Sequence, residues 1–188
     1  MGRWEPGARE RLERAALELY VERGFEQTTV VDITDRAGLT ERTFFRHFAD
    51  KREVLFSGQT ELLGACVNAI AGAPEAAAPL EAVAEGLHVI SAGVQERREH
   101  SRQRQAVIAA NAGLQERELL KLAALASATA DALRRRGVTE PTASLIAETG
   151  VVVFKVAYER WIGEPDGRAL TDITRDCLDD LRAAAAPR

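Results

Sequence analysis

Apolar residues recur along nearly the whole chain three or four positions apart, the spacing of helices buried along one face. Leu12, Ala15, Ala16 and Leu19 set the first stripe, with Glu10, Glu13, Arg14 and Glu18 on the other side. The pattern predicts a helix from about Pro6 to Arg23, closed by Gly24. Thr29 with Asp32 three residues on resembles a capping box, and predicts a short helix with Val30, Ile33 and Ala37 on its apolar face, ending at Gly38. Thr40 is placed to cap a further helix to about Phe48, and Asp50 a longer one from Lys51 to about Ile70. Pro74 and Pro79 interrupt the pattern. Helical spacing returns from Leu80 to about Arg98 and continues to Arg136, with a break near Asn111–Gly113. After Gly137, Thr139 and Pro141 open a helix that reaches Trp161, and the last helix spans Arg168 to about Ala184. No stretch alternates in the manner of a strand, so the fold class expected is all-α.

Composition narrows the class. At 188 residues and 46% hydrophobic content, the chain can bury a sizeable core, and alanine and leucine supply most of that content. No apolar run is expected to approach the roughly 20 residues that span a bilayer. "MGRWEPGARER" lacks the apolar segment of a signal peptide, so the chain is read as cytoplasmic. Cys66 and Cys177 stand far apart without neighbouring ligand residues, and are expected to be reduced thiols rather than a zinc site. The formal net charge of −4 weighs against indiscriminate nucleic-acid binding, so charge matters locally. From Arg36 to Arg52 there are five basic residues against two acidic ones.

That basic stretch contains "TERTFFRHFADK". The two short helices joined by "AGLT" have the form of a helix-turn-helix, whose second helix enters the major groove of DNA. Phe44 and Phe48, four apart, share a face that can pack on Leu19, Ile33 and Leu39. Thr43, Arg46 and His47 lie largely off that face, and Arg42 and Phe45 occupy its flanks.

The Gly24–Phe25 helix end, the Thr28–Thr29 pair, the Ala37–Gly38 turn, the aromatic run ending in His47–Phe48, and Lys51 together resemble the N-terminal domain of the TetR family of bacterial transcriptional regulators. The resemblance covers about a quarter of the chain. It implies an N-terminal three-helix helix-turn-helix domain over 1–52, and a larger helical domain for effector binding and dimerisation over 53–188. It further implies that Thr29 and Thr40 hold phosphates, that Arg42 and Thr43 lie at the groove-reading end, and that His47 touches the DNA backbone. Lys51 anchors a phosphate, and Arg46 adds a backbone or base contact. Phe45 stands where such proteins often carry Tyr, leaving only apolar contact with a sugar or a thymine methyl. Glu41 shares its side with Phe45. A carboxylate is repelled by phosphates but can accept from a cytosine amino group in the groove. Stabilising the helix start through its dipole is the plainer role, and the one preferred.

The remaining helices suggest further partners. Apolar residues ring most of the helix ending at Trp161, which demands cover on more than one side. Val152 and Val156 there, with Ile173, Cys177 and Leu181 on the last helix, are the expected homodimer interface. Leu87, Ile90, Arg104, Val107, Ile108, Leu119, Leu122 and Phe154 are the candidates for an effector pocket. The run Arg97, Arg98, Arg102 and Arg104 reads first as a solvated basic turn beside Glu96 and Glu99, and second as the mouth of an anion site. "RQRQAVIAANAGLQERELLKLA" is similar to the TetR branch that includes the mycofactocin-system regulator, which implies an effector that is apolar with an anionic head, such as an acyl-CoA. No nucleophile motif or glycine-rich phosphate loop points to an enzyme or a cofactor. Asp176, Asp179 and Asp180 lack a second acidic cluster on a facing helix that would complete a magnesium site. His88 and His100 have no carboxylate arrangement that suggests a metal pair. The competing assignment is a helical dimer that carries or senses a small molecule and has lost most DNA binding.

Overall fold

The structure is a computed structural model that describes residues 7–165 and 167–186; Pro6, the expected start of the first helix, lies outside them. Among the described residues there are nine α-helices and no strand: α1 (Ala8–Arg23), α2 (Val30–Ala37), α3 (Glu41–His47), α4 (Gln59–Gly72), α5 (Pro79–Gln95), α6 (Arg98–Ala109), α7 (Ala112–Arg135), α8 (Thr142–Gly163) and α9 (Leu170–Ala185). They gather into two compact units. The first comprises residues up to 58 together with 102–118, and the second comprises 59–101 with 119 onward.

The first unit forms where the turn chemistry requires. Thr29 caps α2 by accepting from the Asp32 N–H, and Asp32 returns the bond to Thr29, completing the box. Gly38 ends α2 in the left-handed region at φ 63°, which the tight turn into α3 needs. Thr40 caps α3 through the Thr43 N–H. One core unites Leu12, Ala16, Leu19, Ile33, Phe44 and Phe48. Val107, Ile108 and Leu114 are buried in the same core, which is why 102–118 groups with the N-terminal helices instead of following the expected boundary after residue 52. Polar bonds reinforce the attachment. Arg104 Nε donates to the Leu55 carbonyl at 2.6 Å, and Arg117 Nε to Glu53 at 2.7 Å.

The long helix expected from Lys51 to Ile70 is divided. Asp50 does cap, accepting from the N–H groups of Arg52 and Glu53, but only a 3-10 turn follows, Glu53–Phe56. Gly58 at φ 80° then redirects the chain into α4. Contrary to expectation, Glu53–Gly72 is long and apolar enough, by length and composition, to cross a membrane. Here Val54, Leu55 and Phe56 are buried in the first unit's core, and Cys66 and Ile70 in the second's.

In the second unit α5 packs against α4, α8 and α9. Gly86 on α5 permits the close approach of α4: a Cβ there would lie 2.7 Å from the Cys66 sulfur. Burial pushes the Cys66 thiol up to about 11. The buried hydroxyls of Ser91 and Thr174, 2.9 Å apart, join α5 to α9. Arg98 lies over the Trp161 ring and donates to the Trp161 carbonyl at 2.7 Å and to that of Glu164, closing the end of α8. It is neither a solvated turn residue nor the mouth of an anion site.

Candidate nucleic-acid interface

Helix α3 is four rows of side chains, each pair four residues apart and therefore stacked. Phe44 and Phe48 form the buried row, at 0% and 5% exposure. Arg42 and Arg46 form the row on the opposite side, both exposed. Glu41 with Phe45, and Thr43 with His47, fill the flanks; of these four only Thr43 is partly covered. Phe45 is 56% exposed, and its ring meets Phe44 edge-on with centroids 5.3 Å apart.

The charge around α3 is less free than the sequence suggested. Arg36 grips Glu22 through both terminal nitrogens, at 3.0 and 2.8 Å, and also reaches Glu18. That hydrogen bond holds the Glu22 carboxyl below its usual range and raises Arg36. Arg52 pairs with Asp50 at 3.4 Å. Arg42, Arg46 and Glu41, by contrast, have no hydrogen bond or ion pair among the described residues.

Two expected phosphate contacts are already used within the protein. Lys51 Nζ donates to the carbonyls of Phe25 (2.9 Å), Glu26 (3.3 Å) and Thr28 (2.9 Å), and sits 4.5 Å from the centre of the Phe25 ring. An ammonium has three donors, and all three are taken. Tyr20 clamps the same residue from behind, donating to the Lys51 carbonyl at 2.6 Å; burial raises the Tyr20 phenol further above its usual range, helped by the Asp50 charge. Thr29 donates its hydroxyl to Asp32 at 2.6 Å and its N–H to the same carboxylate at 2.8 Å. Those bonds hold the Asp32 carboxyl below its usual range. A carboxylate thus occupies the start of α2, where a phosphate was expected. The Thr40 hydroxyl is 3.0 Å from that of Thr43 and accepts from its N–H. The sequence carried no signal for the Lys51 bonds, because its partners are backbone carbonyls.

The other expected sites divide between the units. Of the pocket candidates, Arg104, Val107 and Ile108 belong to the first unit. Val107 and Ile108 fill its core, while Arg104 lies over Phe56 and pairs with Glu118 at 3.1 Å. Leu87 and Ile90 are buried in the second unit, with Leu122 and Phe154 packed partly buried against that core. Leu119 is 62% exposed. The eight are therefore divided between the two units. Of the interface candidates, Val152 and Val156 are exposed, as is Leu145 on the same helix; Cys177 and Leu181 are half-buried. Ile173 is fully buried in its own unit's core and is removed from any outer face. Asp176 pairs with Arg168 and Asp179 with Arg182, at 2.6 and 2.8 Å. A concave surface of about 410 Å³ lies between α1 and α2, lined by Arg11, Arg14, Glu18 and Arg36 among others.

An all-helical chain whose N-terminal unit presents a capped helix-turn-helix, with two unpartnered arginines on the second helix, is built as a DNA-binding regulator. Residues 13–57 match the family described as bacterial regulatory proteins, tetR family, and residues 77–186 match the MftR C-terminal domain. The chain belongs to the TetR family of transcriptional regulators, within the branch its C-terminal sequence resembled. It is 37% identical over 82 residues to the HTH-type transcriptional regulator TcmR of Streptomyces glaucescens; the match spans 44% of this chain and 36% of that protein, about a third of its length. Among solved structures, it is similar to Thermus thermophilus FadR in complex with lauroyl-CoA (TM-score 0.61, 24% identity, 96% of each chain). It is also similar to Bacillus halodurans FadR, described as a fatty acid degradation regulator (TM-score 0.64, 17% identity, 99% of this chain and 100% of that one). These likenesses establish the fold.

Proposed function

We propose that the protein is a cytoplasmic one-component repressor that binds a palindromic operator as a homodimer and is released by a small-molecule effector. The observation that carries this reading is the Arg42–Arg46 row. These two arginines are exposed, lie opposite the buried Phe44–Phe48 row and have no protein partner. Arginine of this kind suits guanine edges and phosphates. Thr43 and His47 on one flank, and Glu41 and Phe45 on the other, complete the reading surface. Thr29, Thr40 and Lys51 position it from within.

A single short helix-turn-helix has little affinity, and a two-fold dimer would present two, about 34–36 Å apart or a related spacing. The exposed Leu145, Val152 and Val156 form one stripe along α8 and support self-association there, with Cys177 and Leu181 as half-buried neighbours. The apolar core around Leu87 and Ile90, with Leu122 and Phe154 against it, supports an apolar effector. The acyl thioester held by Thermus thermophilus FadR is of that class. Such a ligand releases DNA only if it binds the DNA-incompetent state more tightly.

Genome-wide selection of bound fragments tests the reading. It expects a palindromic sequence near a few genes, and release by added lauroyl-CoA. Salt-sensitive but sequence-indifferent binding would sink it.

A further inference from the structure

The first unit carries a second group of arginines, on α1 and the end of α2. The concave surface of about 410 Å³ between these helices is lined by Arg11, Arg14, Ala15, Glu18, Arg36 and Ala37. Arg36 is already bound, held by Glu22 and Glu18. Arg14 is exposed and has no hydrogen bond or ion pair among the described residues. Glu10 and Glu18 stand four residues to either side of it on α1, the spacing at which a helix forms ion pairs, yet it meets neither. Arg11 also has no ion pair among the described residues. It donates through Nη2 alone, to the Ala37 carbonyl at 2.5 Å and to the Gly38 carbonyl at 3.4 Å.

Those two bonds fix the Arg11 guanidinium at the edge of the concavity, so a ligand need not order it. They also cover the carbonyl end of α2, whose partial negative charge repels anions. The Nε and Nη1 donors of Arg11, and every donor of Arg14, are left for another partner. Three arginines against Glu18 and Glu22 leave the place positive.

The charge selects an anion, and a lining whose apolar members are only Ala15 and Ala37 does not suit an acyl chain. The geometry narrows the anion. A carboxylate has two oxygens in one plane, which a single guanidinium fork satisfies. A phosphate offers three, and linked phosphates more. Arg11 and Arg14, three residues apart on one helix, have Cβ atoms about 5–6 Å apart, so two forks can close on one phosphate chain. The volume falls within the range of small-molecule sites, roughly 300–1,000 Å³.

We propose that Arg11 and Arg14 form a binding site for a small phosphate-bearing anion, an inorganic or nucleoside polyphosphate. The site uses neither the α3 arginines nor the core of the second unit. Arg11 joins it to the Ala37–Gly38 turn that leads into α3.

Calorimetric titration of the full chain, free of DNA, with inorganic triphosphate tests the site. Saturable binding of one anion per chain is expected. Arg14→Ala should weaken it about tenfold, the contribution of one charge-assisted bond. Its melting temperature should not move, because Arg14 holds nothing in the fold. Arg14→Lys, which keeps the charge without the fork, should recover part of the loss. Replacing Arg42 and Arg46 together by alanine should leave triphosphate binding unchanged. Three results overturn the site: no saturable binding, full binding in Arg14→Ala, or binding lost with Arg42 and Arg46. A duplex carries the same phosphate chemistry. If Arg14→Ala weakens binding to random DNA and flattens its salt dependence, Arg14 meets a backbone phosphate and the proposal falls. Operator selection, which tests the regulator reading, is independent of all these outcomes.

Discussion

Two pairs of arginines in the first unit look alike in sequence and are used in opposite ways. Arg42 and Arg46 on α3 are exposed and have no protein partner. Arg104 and Arg117, on α6 and the start of α7, are tied into the fold. The Arg104 side chain is 12% exposed, donates to Leu55 and Glu118, and lies over Phe56; Arg117 holds Glu53. What separates them is the partner each finds, which no charge count records. An arginine bound to partners inside the protein belongs to the fold, and one held out without a partner is available to a ligand.

The comparison is tested most severely by removing a member of each pair. Arg104→Ala should lower unfolding stability by about 2–4 kcal/mol, because it takes the charged partner from the Glu118 carboxylate, leaving it only the Gln105 amide, and leaves the Leu55 carbonyl without its donor. A chemical-denaturation midpoint measures this. The folded fraction should keep its choice of DNA sequence. Unchanged stability would mean that Arg104 is not holding 102–118 to the N-terminal helices. Lys51→Ala belongs to the same side. It should cost about 1–3 kcal/mol of stability for the three released carbonyls, with the salt dependence of DNA binding unaltered. A flattened salt dependence would return Lys51 to the phosphate-binding set.

Arg42→Ala should do the reverse. Operator preference should fall by about 1–3 kcal/mol if the side chain reads a guanine, with the melting temperature unmoved. Equal losses on operator and random DNA would place Arg42 among the backbone contacts.

Most of the first unit was legible because its signals are side-chain signals. The Thr29–Asp32 box, Gly38, the Thr40 cap and the Phe44–Phe48 row each depend on residue type at a fixed spacing. The bonds of Lys51 were not legible because its partners are carbonyls of Phe25, Glu26 and Thr28, and a carbonyl leaves no trace in a sequence. The sequence reading put 102–118 in the larger domain, as the family match over 77–186 does; periodicity marks Val107 and Ile108 as apolar without showing that they are buried with the N-terminal helices. Ile173 failed for a related reason. A stripe on a helix has one pattern whether it faces its own core, as Ile173 does, or outward, as Val152 does. The long helix expected from Lys51 to Ile70 overlooked Gly58, whose φ of 80° only glycine adopts readily.

The smallest expected effect separates the two carboxylates at the helix starts. Asp32 at α2 is bound by Thr29, and its carboxyl lies below the usual range mainly because of the Thr29 hydroxyl bond; Glu41 at α3 is unbound. A depressed folded-state value means that Asp32 contributes stability fully present above its unfolded value, ~3.9 for Asp. That contribution is lost as pH falls through the lower, folded value. Asp32→Asn should therefore remove a small part of the acid dependence of stability. Binding to random DNA orders the two by a different rule. Asp32→Asn and Glu41→Gln each remove one negative charge, but Asp32→Asn also loosens the Thr29 hydroxyl and leaves Arg23, 3.6 Å away, without its carboxylate. The gain in random-DNA affinity should then be larger for Asp32→Asn than for Glu41→Gln, and steeper at low salt. Equal gains would mean that the start of α2 stands away from the backbone, and that the first unit meets DNA through α3 alone.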